Sequence, residues 1–164
     1  MGKITGVFIE ENPEDINFQL INRSPTNTNR PAWLQINSVN AKIGFTCYEG
    51  DDGTRTYYKK IFKNFYIPLD VTSEEIILFY DAIAPNYDSL NQDNFEIAKF
   101  VLGKLVRYDL KAPRVLDLLG GTGIIAAELA SAFKNIDILD GSAKMLLVAK
   151  RKSALHDSNL FSAI

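Results

Sequence analysis

Cysteine and histidine are nearly missing from this chain, which has one of each among 164 residues. A single cysteine, Cys47, excludes an internal disulfide and a metal site made of cysteines alone. We expect it to be a small core residue of a strand. His156 lies in a polar stretch near the end of a predicted helix, which favours an exposed position over a general base. No metal site is predicted.

The chain also has almost no excess of charge of either sign. Eighteen basic and 20 acidic residues give a formal net charge of −2, which excludes a basic surface for non-specific nucleic-acid binding. The one cationic cluster, residues 150–152, is predicted to lie on the exposed end of a helix. No apolar run reaches membrane-spanning length, and the first residues lack a signal-peptide pattern. These absences predict a cytoplasmic protein with no nucleic-acid partner and no membrane span.

Residues 1–68 are predicted to form a β-rich segment, whose role the sequence does not indicate. Apolar stretches rich in β-branched and aromatic residues are bounded by Asn-Pro, Ser-Pro and Arg-Pro breaks. Residues 49–53 form a polar, glycine-containing hairpin loop between two such stretches. The predicted strands are Ile4–Glu10, Ile16–Asn22, Trp33–Asn37, Ala41–Tyr48 and Thr54–Ile61.

A second domain is predicted over residues 72–164. Thr72 and Glu75 have the spacing of a capping box, which opens a helix that Pro85 ends. A further helix follows with one apolar face, and Val115–Leu119 is then predicted as a buried strand.

The stretch from Val115 to Leu146 organises this second domain. Its order is strand, glycine turn over 120–123, helix over Ile124–Phe133, strand over Ile136–Leu139, acidic Asp140, and another helix. Glycines let a backbone approach a ligand closely, and the helix that begins near Thr122 is predicted to direct unpaired N–H groups toward it. An acid 19 residues after Gly121 is placed to bind the hydroxyls of a ribose. Residues 121–126 also fit the dinucleotide pattern G-x-G-x-x-A, so NAD remains an alternative.

Three motifs in this order resemble the class I S-adenosylmethionine-dependent methyltransferases. Asp117 stands inside the strand before the turn, and Asp140 leads into Gly-Ser-Ala-Lys-Met-Leu. Ahead of them, residues 80–88 read Tyr-Asp-Ala-Ile-Ala-Pro-Asn-Tyr-Asp, which is similar to a segment of the branch that methylates quinones and other small molecules. The resemblance covers about residues 72–155.

The resemblance implies S-adenosylmethionine as the cofactor and a small molecule as the methyl acceptor. Asp117 would act at the amino-acid end of the cofactor, Gly121 and Gly123 would allow backbone approach, and Asp140 would hold the ribose. Tyr80 and Tyr87 would close over the cofactor, although their rings could instead pack against the sheet. The implied cofactor-binding residues are Asp117, Leu119, Gly120, Gly121, Thr122, Gly123, Asp140, Gly141, Ser142, Met145, Tyr80 and Tyr87. Catalytic residues remain unassigned.

Leu119 is the one departure from the family pattern, which has glycine or alanine at this position. A leucine does not adopt a positive φ cheaply, and its bulk would lie close to the methionine end of the cofactor. This residue therefore puts the affinity for the cofactor in doubt rather than the fold.

The expected fold class is α/β, an incomplete Rossmann-like methyltransferase sheet preceded by a small β-rich segment. Residues 160–164 resemble the start of a third strand, which predicts a truncated and inactive chain. Its open sheet edge would favour a homo-oligomer or a completing partner. Two alternatives stay open: a non-catalytic cofactor-binding or regulatory module, and a fragment of an NAD-dependent oxidoreductase.

Overall fold

The computed structural model describes residues 2–5, 17–23, 30–37, 44–107 and 114–162. The chain divides into two compact units, Met1–Phe79 and Tyr80–Ile164. The predicted domain division at residues 68–72 stays a prediction.

The first unit contains a six-stranded antiparallel sheet with the strand order β1-β4-β5-β6-β3-β2. The hairpin predicted around residues 49–53 joins β4 and β5, and Gly53 supplies the positive φ of its turn (φ 78°). Predicted residues 6–10, 16 and 41–43 lie outside the described residues. The strands are β1 (Lys3–Thr5), β2 (Asn17–Arg23), β3 (Pro31–Asn37), β4 (Phe45–Glu49), β5 (Arg55–Phe62) and β6 (Phe65–Pro68).

The core of this unit is rich in tyrosine. Six buried residues on the sheet form one cluster: Ile4, Leu34, Ile36, Tyr48, Tyr58 and Tyr66. The Tyr58 hydroxyl donates a hydrogen bond to the carbonyl of Pro31 at 2.6 Å, which satisfies its polar tip, and burial raises the pKa of Tyr58. Cys47 is buried in β4, as predicted.

Helix α1 (Ser73–Ile83) begins with the predicted capping box. The Glu75 carboxylate accepts from the Thr72 backbone N–H at 3.0 Å, and the Thr72 hydroxyl accepts from the Glu75 N–H at 3.3 Å. Glu75 also accepts from the buried Arg30 at 3.3 Å. Pro85 lies in a short 3-10 helix (Ala84–Asn86) directly after α1, so the predicted stop is confirmed.

The second unit contains a parallel sheet in the order β7 (Val115–Leu118), β8 (Ile136–Asp140) and β9 (Asn159–Ser162). Its helices are α2 (Tyr87–Leu90), α3 (Asp93–Arg107), α4 (Ile124–Leu129) and α5 (Ala143–Lys150). Helix α4 lies between β7 and β8 in the chain, and α5 between β8 and β9, which is the alternation of an α/β fold. The predicted α/β class, with a Rossmann-like unit after a β-rich segment, is confirmed.

Helix α4 is shorter than predicted, because it ends at Leu129 instead of Phe133. The chain turns after Leu129, and Phe133 still packs against the core of this unit, so its apolar character reflects burial rather than helical spacing. That core lies between the helices and one face of the sheet and includes Ile136, Ile138 and Ala149.

On the other face of the sheet, the two outer strands carry exposed apolar side chains. Leu116 and Leu118 point to it from β7 with 59% and 63% of their surface exposed, and Phe161 of β9 is 46% exposed. No helix within the described residues combines the length and apolarity needed to cross a membrane.

Candidate functional site

The turn that follows β7 contains three residues with positive φ: Leu119 (59°), Gly121 (55°) and Gly123 (70°). Its N–H groups are largely engaged within the protein. Those of Leu119 and Gly120 donate to the Leu139 carbonyl at 2.7 and 3.3 Å, and that of Gly123 donates to the Gly120 carbonyl at 2.8 Å. The prediction that unpaired N–H groups at the start of the following helix point at a ligand concerns other residues and stays a prediction. The N–H groups of Leu119, Gly120 and Gly123 are not free for a ligand. Their bonds fix the shape of the turn instead.

Two of the glycines are required by close packing inside the protein. A Cβ on Gly120 would lie 2.8 Å from Cγ of Asp117, and one on Gly123 would lie 2.6 Å from Cδ1 of Leu155. At Gly121 the nearest atom would be an Asp140 carboxylate oxygen at 4.0 Å. Of the three turn glycines, only Gly121 therefore has open space where a side chain would be, which leaves its backbone approachable.

Leu119 adopts the strained conformation that the sequence made questionable. Its φ of 59° is in the left-handed region, and its side chain is 77% exposed. Exposure means that the leucine gains little packing energy to offset the strain, which costs about 1–2 kcal/mol.

Asp117 points from β7 toward the covered face of the sheet, beside the glycine turn. Its Oδ2 atom is buried and has no hydrogen-bond partner among the described residues. Burial raises the pKa of Asp117, the negative charge of Asp140 adds to the increase, and a backbone hydrogen bond from Ala126 opposes it. A buried carboxylate oxygen without a donor is costly, so this atom is suited to a cationic or hydrogen-bonding ligand.

Asp140 ends β8 and links the two turns of the site. Its Oδ2 accepts from the Gly121 N–H at 2.8 Å, and its Oδ1 accepts from the Ser142 N–H at 2.8 Å. The turn-stabilising role and the ligand-binding role are compatible, since a carboxylate offers about four acceptor positions.

The residues after Asp140 form the start of helix α5. Ser142 is its N-cap and accepts from the Met145 N–H at 3.1 Å, while Gly141 lies half-buried between Asp140 and this cap. The Met145 side chain is 1% exposed and the Ser142 side chain 2%. The Ser142 side chain caps the helix start, whereas Met145 contributes its backbone N–H; at these exposures neither side chain lines an open surface.

Tyr80 and Tyr87 lie together, with ring centroids 6.3 Å apart in an edge-to-face arrangement. Burial raises the pKa of Tyr80, with smaller contributions from Tyr87 and from the charge of Asp140.

Three further residues, for which the sequence predicted no role at the site, contact its two turns: Asp81, Asp88 and Lys152. Asp81 accepts from the Ser142 hydroxyl at 2.5 Å and from the Lys144 N–H at 3.2 Å. Asp88 accepts from the Thr122 hydroxyl and pairs with Lys152 at 2.7 Å.

Lys152 also donates to the Thr122 carbonyl at 2.5 Å. The prediction of an exposed cationic cluster is therefore correct for Lys150 and Arg151 but wrong for Lys152, whose side chain is 22% exposed because its ammonium group is drawn to these acceptors. Position in the Tyr80–Asp88 motif was a signal for Asp81 and Asp88, whereas nothing in the sequence indicated Lys152.

The remaining sequence predictions concern groups away from the turn. The His156 side chain is 88% exposed at the end of a 3-10 helix, as expected. Among the described residues, no group of three or more His, Cys, Asp or Glu is arranged to hold a metal ion.

Comparison with known proteins identifies methyltransferases. No family model matches the chain. A curated relative, the ubiquinone/menaquinone biosynthesis C-methyltransferase UbiE of Rubrivivax gelatinosus, is 33% identical over 82 residues, which are 47% of this chain and 32% of the relative. The chain thus spans about a third of the length of that relative.

Solved methyltransferase structures are similar over a comparable share. The DhpI complex with S-adenosylhomocysteine is 28% identical, with a TM-score of 0.42. The match covers 53% of this chain and 42% of the DhpI chain. An S-adenosylmethionine-dependent methyltransferase from Clostridium acetobutylicum is also 28% identical, with a TM-score of 0.41 and coverage of 52% and 37%. The curated match supports the resemblance of this chain to S-adenosylmethionine-dependent methyltransferases of the branch that methylates quinones.

Proposed function

We propose that the second unit binds S-adenosylmethionine and serves a methyltransferase that acts on a small-molecule acceptor. The observation that supports this most directly is the buried Asp117 Oδ2 atom, which has no partner among the described residues and lies beside the glycine turn. An unpaired acceptor at this place fits the ammonium group at the amino-acid end of the cofactor. Such a cation would supply both a hydrogen bond and the opposite charge that the buried carboxylate lacks.

Asp140 fits the ribose of the same ligand. It ends the neighbouring strand and accepts from the Gly121 N–H, and a side chain on Gly121 would meet no atom closer than 4.0 Å. A carboxylate there retains acceptor capacity for ribose hydroxyls. The two acids thus stand on adjacent parallel strands, where the amino-acid end and the sugar of one extended ligand would be bound.

The bound cofactor would supply an electrophilic methyl group on a sulfonium sulfur. The residues of this chain would hold it in line with the acceptor, and positioning of this kind contributes up to about 7–11 kcal/mol to catalysis. The paired rings of Tyr80 and Tyr87 would restrict the access of water to the bound cofactor, which favours a reaction that disperses positive charge. The acceptor class is proposed from the resemblance to the quinone branch and from the name of the curated relative, a ubiquinone/menaquinone biosynthesis C-methyltransferase.

Nuclear magnetic resonance titration of the ¹⁵N-labelled chain tests the proposal. S-adenosylmethionine and S-adenosylhomocysteine should shift the amide signals of Leu119–Gly123 and Asp140–Ser142, with a dissociation constant on the order of 0.1–1 mM. NADH should leave them unchanged. Shifts with NADH and none with S-adenosylhomocysteine would replace the proposal with a nicotinamide-binding function.

The Asp117→Asn variant provides the site-specific comparison, because it keeps the shape of the side chain and removes its charge. It should weaken S-adenosylhomocysteine binding, whereas Asp157→Asn, which neutralises an exposed carboxylate, should not. Equal affinities of both variants would remove Asp117 from the binding site.

A further inference from the structure

We infer that Lys152 and Asp88 are positioning residues that set the orientation of Thr122 and thereby the affinity for the amino-acid end of the cofactor. The inference rests on the proposed function. Neither residue is expected to touch the ligand or the reacting atoms. Their effect would pass through the glycine turn, which they contact at Thr122.

The geometry fixes Thr122 through its hydroxyl and its carbonyl. Its hydroxyl donates to Oδ1 of Asp88, and its carbonyl accepts from the Lys152 ammonium at 2.5 Å. The same ammonium contacts Oδ2 of Asp88 at 2.7 Å. Three residues therefore form a closed ring of contacts, and neither the side chain nor the peptide plane of Thr122 can rotate without breaking a charged hydrogen bond.

Burial raises the free-energy cost of breaking these contacts. Thr122 is 1% exposed, so its hydroxyl and carbonyl have little access to water if the ring opens. The side chains of Lys152 and Asp88 are 22% and 30% exposed, which screens their pairing less than at an open surface. Since an unsatisfied buried group is costly, loss of either charged residue should shift the turn toward a conformation that exposes Thr122.

The position of Thr122 in the chain connects this ring to the ligand. Its preceding neighbour Gly121 is bonded to Asp140, and its following neighbour Gly123 is packed against Leu155. Movement of Thr122 would change the peptide planes on both sides and, through Gly121, would reach Gly120, which packs against the Asp117 carboxylate. We therefore expect the amino-acid end of the ligand to sense the change more than the adenosine part does.

The experiment compares Lys152→Met with Lys150→Met, two variants with the same change in charge and composition. Lys150 is exposed on α5, two residues away. Affinities for S-adenosylhomocysteine and for 5′-methylthioadenosine, which lacks the amino-acid end, are measured by titration well below the thermal midpoint of each variant. Lys152→Met should weaken S-adenosylhomocysteine binding about tenfold and 5′-methylthioadenosine binding less than about twofold. Lys150→Met should change neither.

A double-mutant cycle with Asp88→Asn adds a second readout. If both residues act through Thr122, the double variant should bind S-adenosylhomocysteine about as weakly as either single variant, instead of showing the product of the two losses. Equal weakening of both ligands by Lys152→Met would indicate general destabilisation and overturn the inference, as would an affinity equal to that of Lys150→Met. If the unaltered chain binds neither ligand, the proposed function fails and the inference fails with it.

Discussion

The Asp81 carboxylate accepts a hydrogen bond of 2.5 Å from the Ser142 hydroxyl, although 61 residues separate them in the chain. Asp88, seven residues after Asp81, holds Thr122 in the same way. The two aspartates of one motif therefore anchor residues in two different turns, those after β7 and β8. Since Asp140 bridges these turns, the candidate site is held by its own side chains before any ligand contributes.

Replacing Asp140 by alanine should weaken S-adenosylhomocysteine binding by about 1–3 kcal/mol, because charge-assisted hydrogen bonds to the ribose are lost. Asp157→Ala is the matched control, since it removes an exposed carboxylate. Calorimetry or titration gives the affinities. An unchanged affinity in Asp140→Ala would remove the ribose-binding role. Because Asp140 also accepts from Gly121 and Ser142, thermal unfolding of the variant has to be followed in parallel.

Leu119→Gly should stabilise the chain modestly and tighten cofactor binding. Relief of the left-handed strain should raise the free energy of unfolding by about 1–2 kcal/mol, and the greater backbone entropy of glycine in the unfolded chain should lower it by about 0.5–1 kcal/mol. Since the side chain is 77% exposed, little packing is lost. Chemical denaturation and ligand titration measure the two effects.

Leu119→Ala separates strain from bulk, because alanine removes most of the side chain but keeps the cost of a positive φ. If Leu119→Gly binds more weakly than the unaltered chain, the leucine contributes to the site and the crowding argument is wrong.

Asp117→Asn should make the free protein more stable at neutral pH and should flatten its pH dependence. The pKa of Asp117 is raised in the folded state, chiefly by burial. Between the unfolded and folded pKa values the folded state binds more protons, so this group lowers stability as pH rises through that window. Denaturation curves from acidic to neutral pH measure the effect. A constant difference between Asp117→Asn and the unaltered chain across this range would contradict it.

In the first unit, Glu75→Gln should lower the free energy of unfolding by about 3 kcal/mol, at the lower end of the range for breaking a buried ion pair. Glu75 is fully buried, and its partner Arg30 is 7% exposed. Asp70 remains 3.4 Å from Arg30 and offsets part of the loss. Glu74→Gln, on the exposed side of the same helix turn, is the control and should cost much less. A similar loss in both variants of a urea unfolding experiment would argue against the ion pair.

Local rules predicted the parts of the fold in which neighbouring residues decide the outcome. The Thr72–Glu75 capping box, the hairpin ending at Gly53 and the alternation of strands and helices after Val115 are all such cases. The end of α4 could not be predicted in this way, because Phe133 is apolar for burial in the core and not for helical spacing.

The site divides along the same line. The positions of Asp117 and Asp140 follow from their places on two parallel strands, which the sequence pattern indicates. The roles of Asp81, Asp88 and Lys152 depend on contacts between residues 30 to 64 positions apart, and no local pattern specifies them. Likewise, the internal bonding of the turn's N–H groups depends on the Leu139 carbonyl of the next strand.

The open face of the parallel sheet predicts self-association of the isolated chain. Parallel sheets are normally covered on both faces, yet Leu116, Leu118 and Phe161 are exposed here, and the outer edge of β7 pairs with no other strand among the described residues. Leu118→Lys should therefore shift the protein toward the monomer in size exclusion with light scattering. Leu147→Lys, which places the same charge at an exposed leucine of α5, should not. If the unaltered chain is already monomeric, or if both variants behave alike, the exposed face is not an association surface.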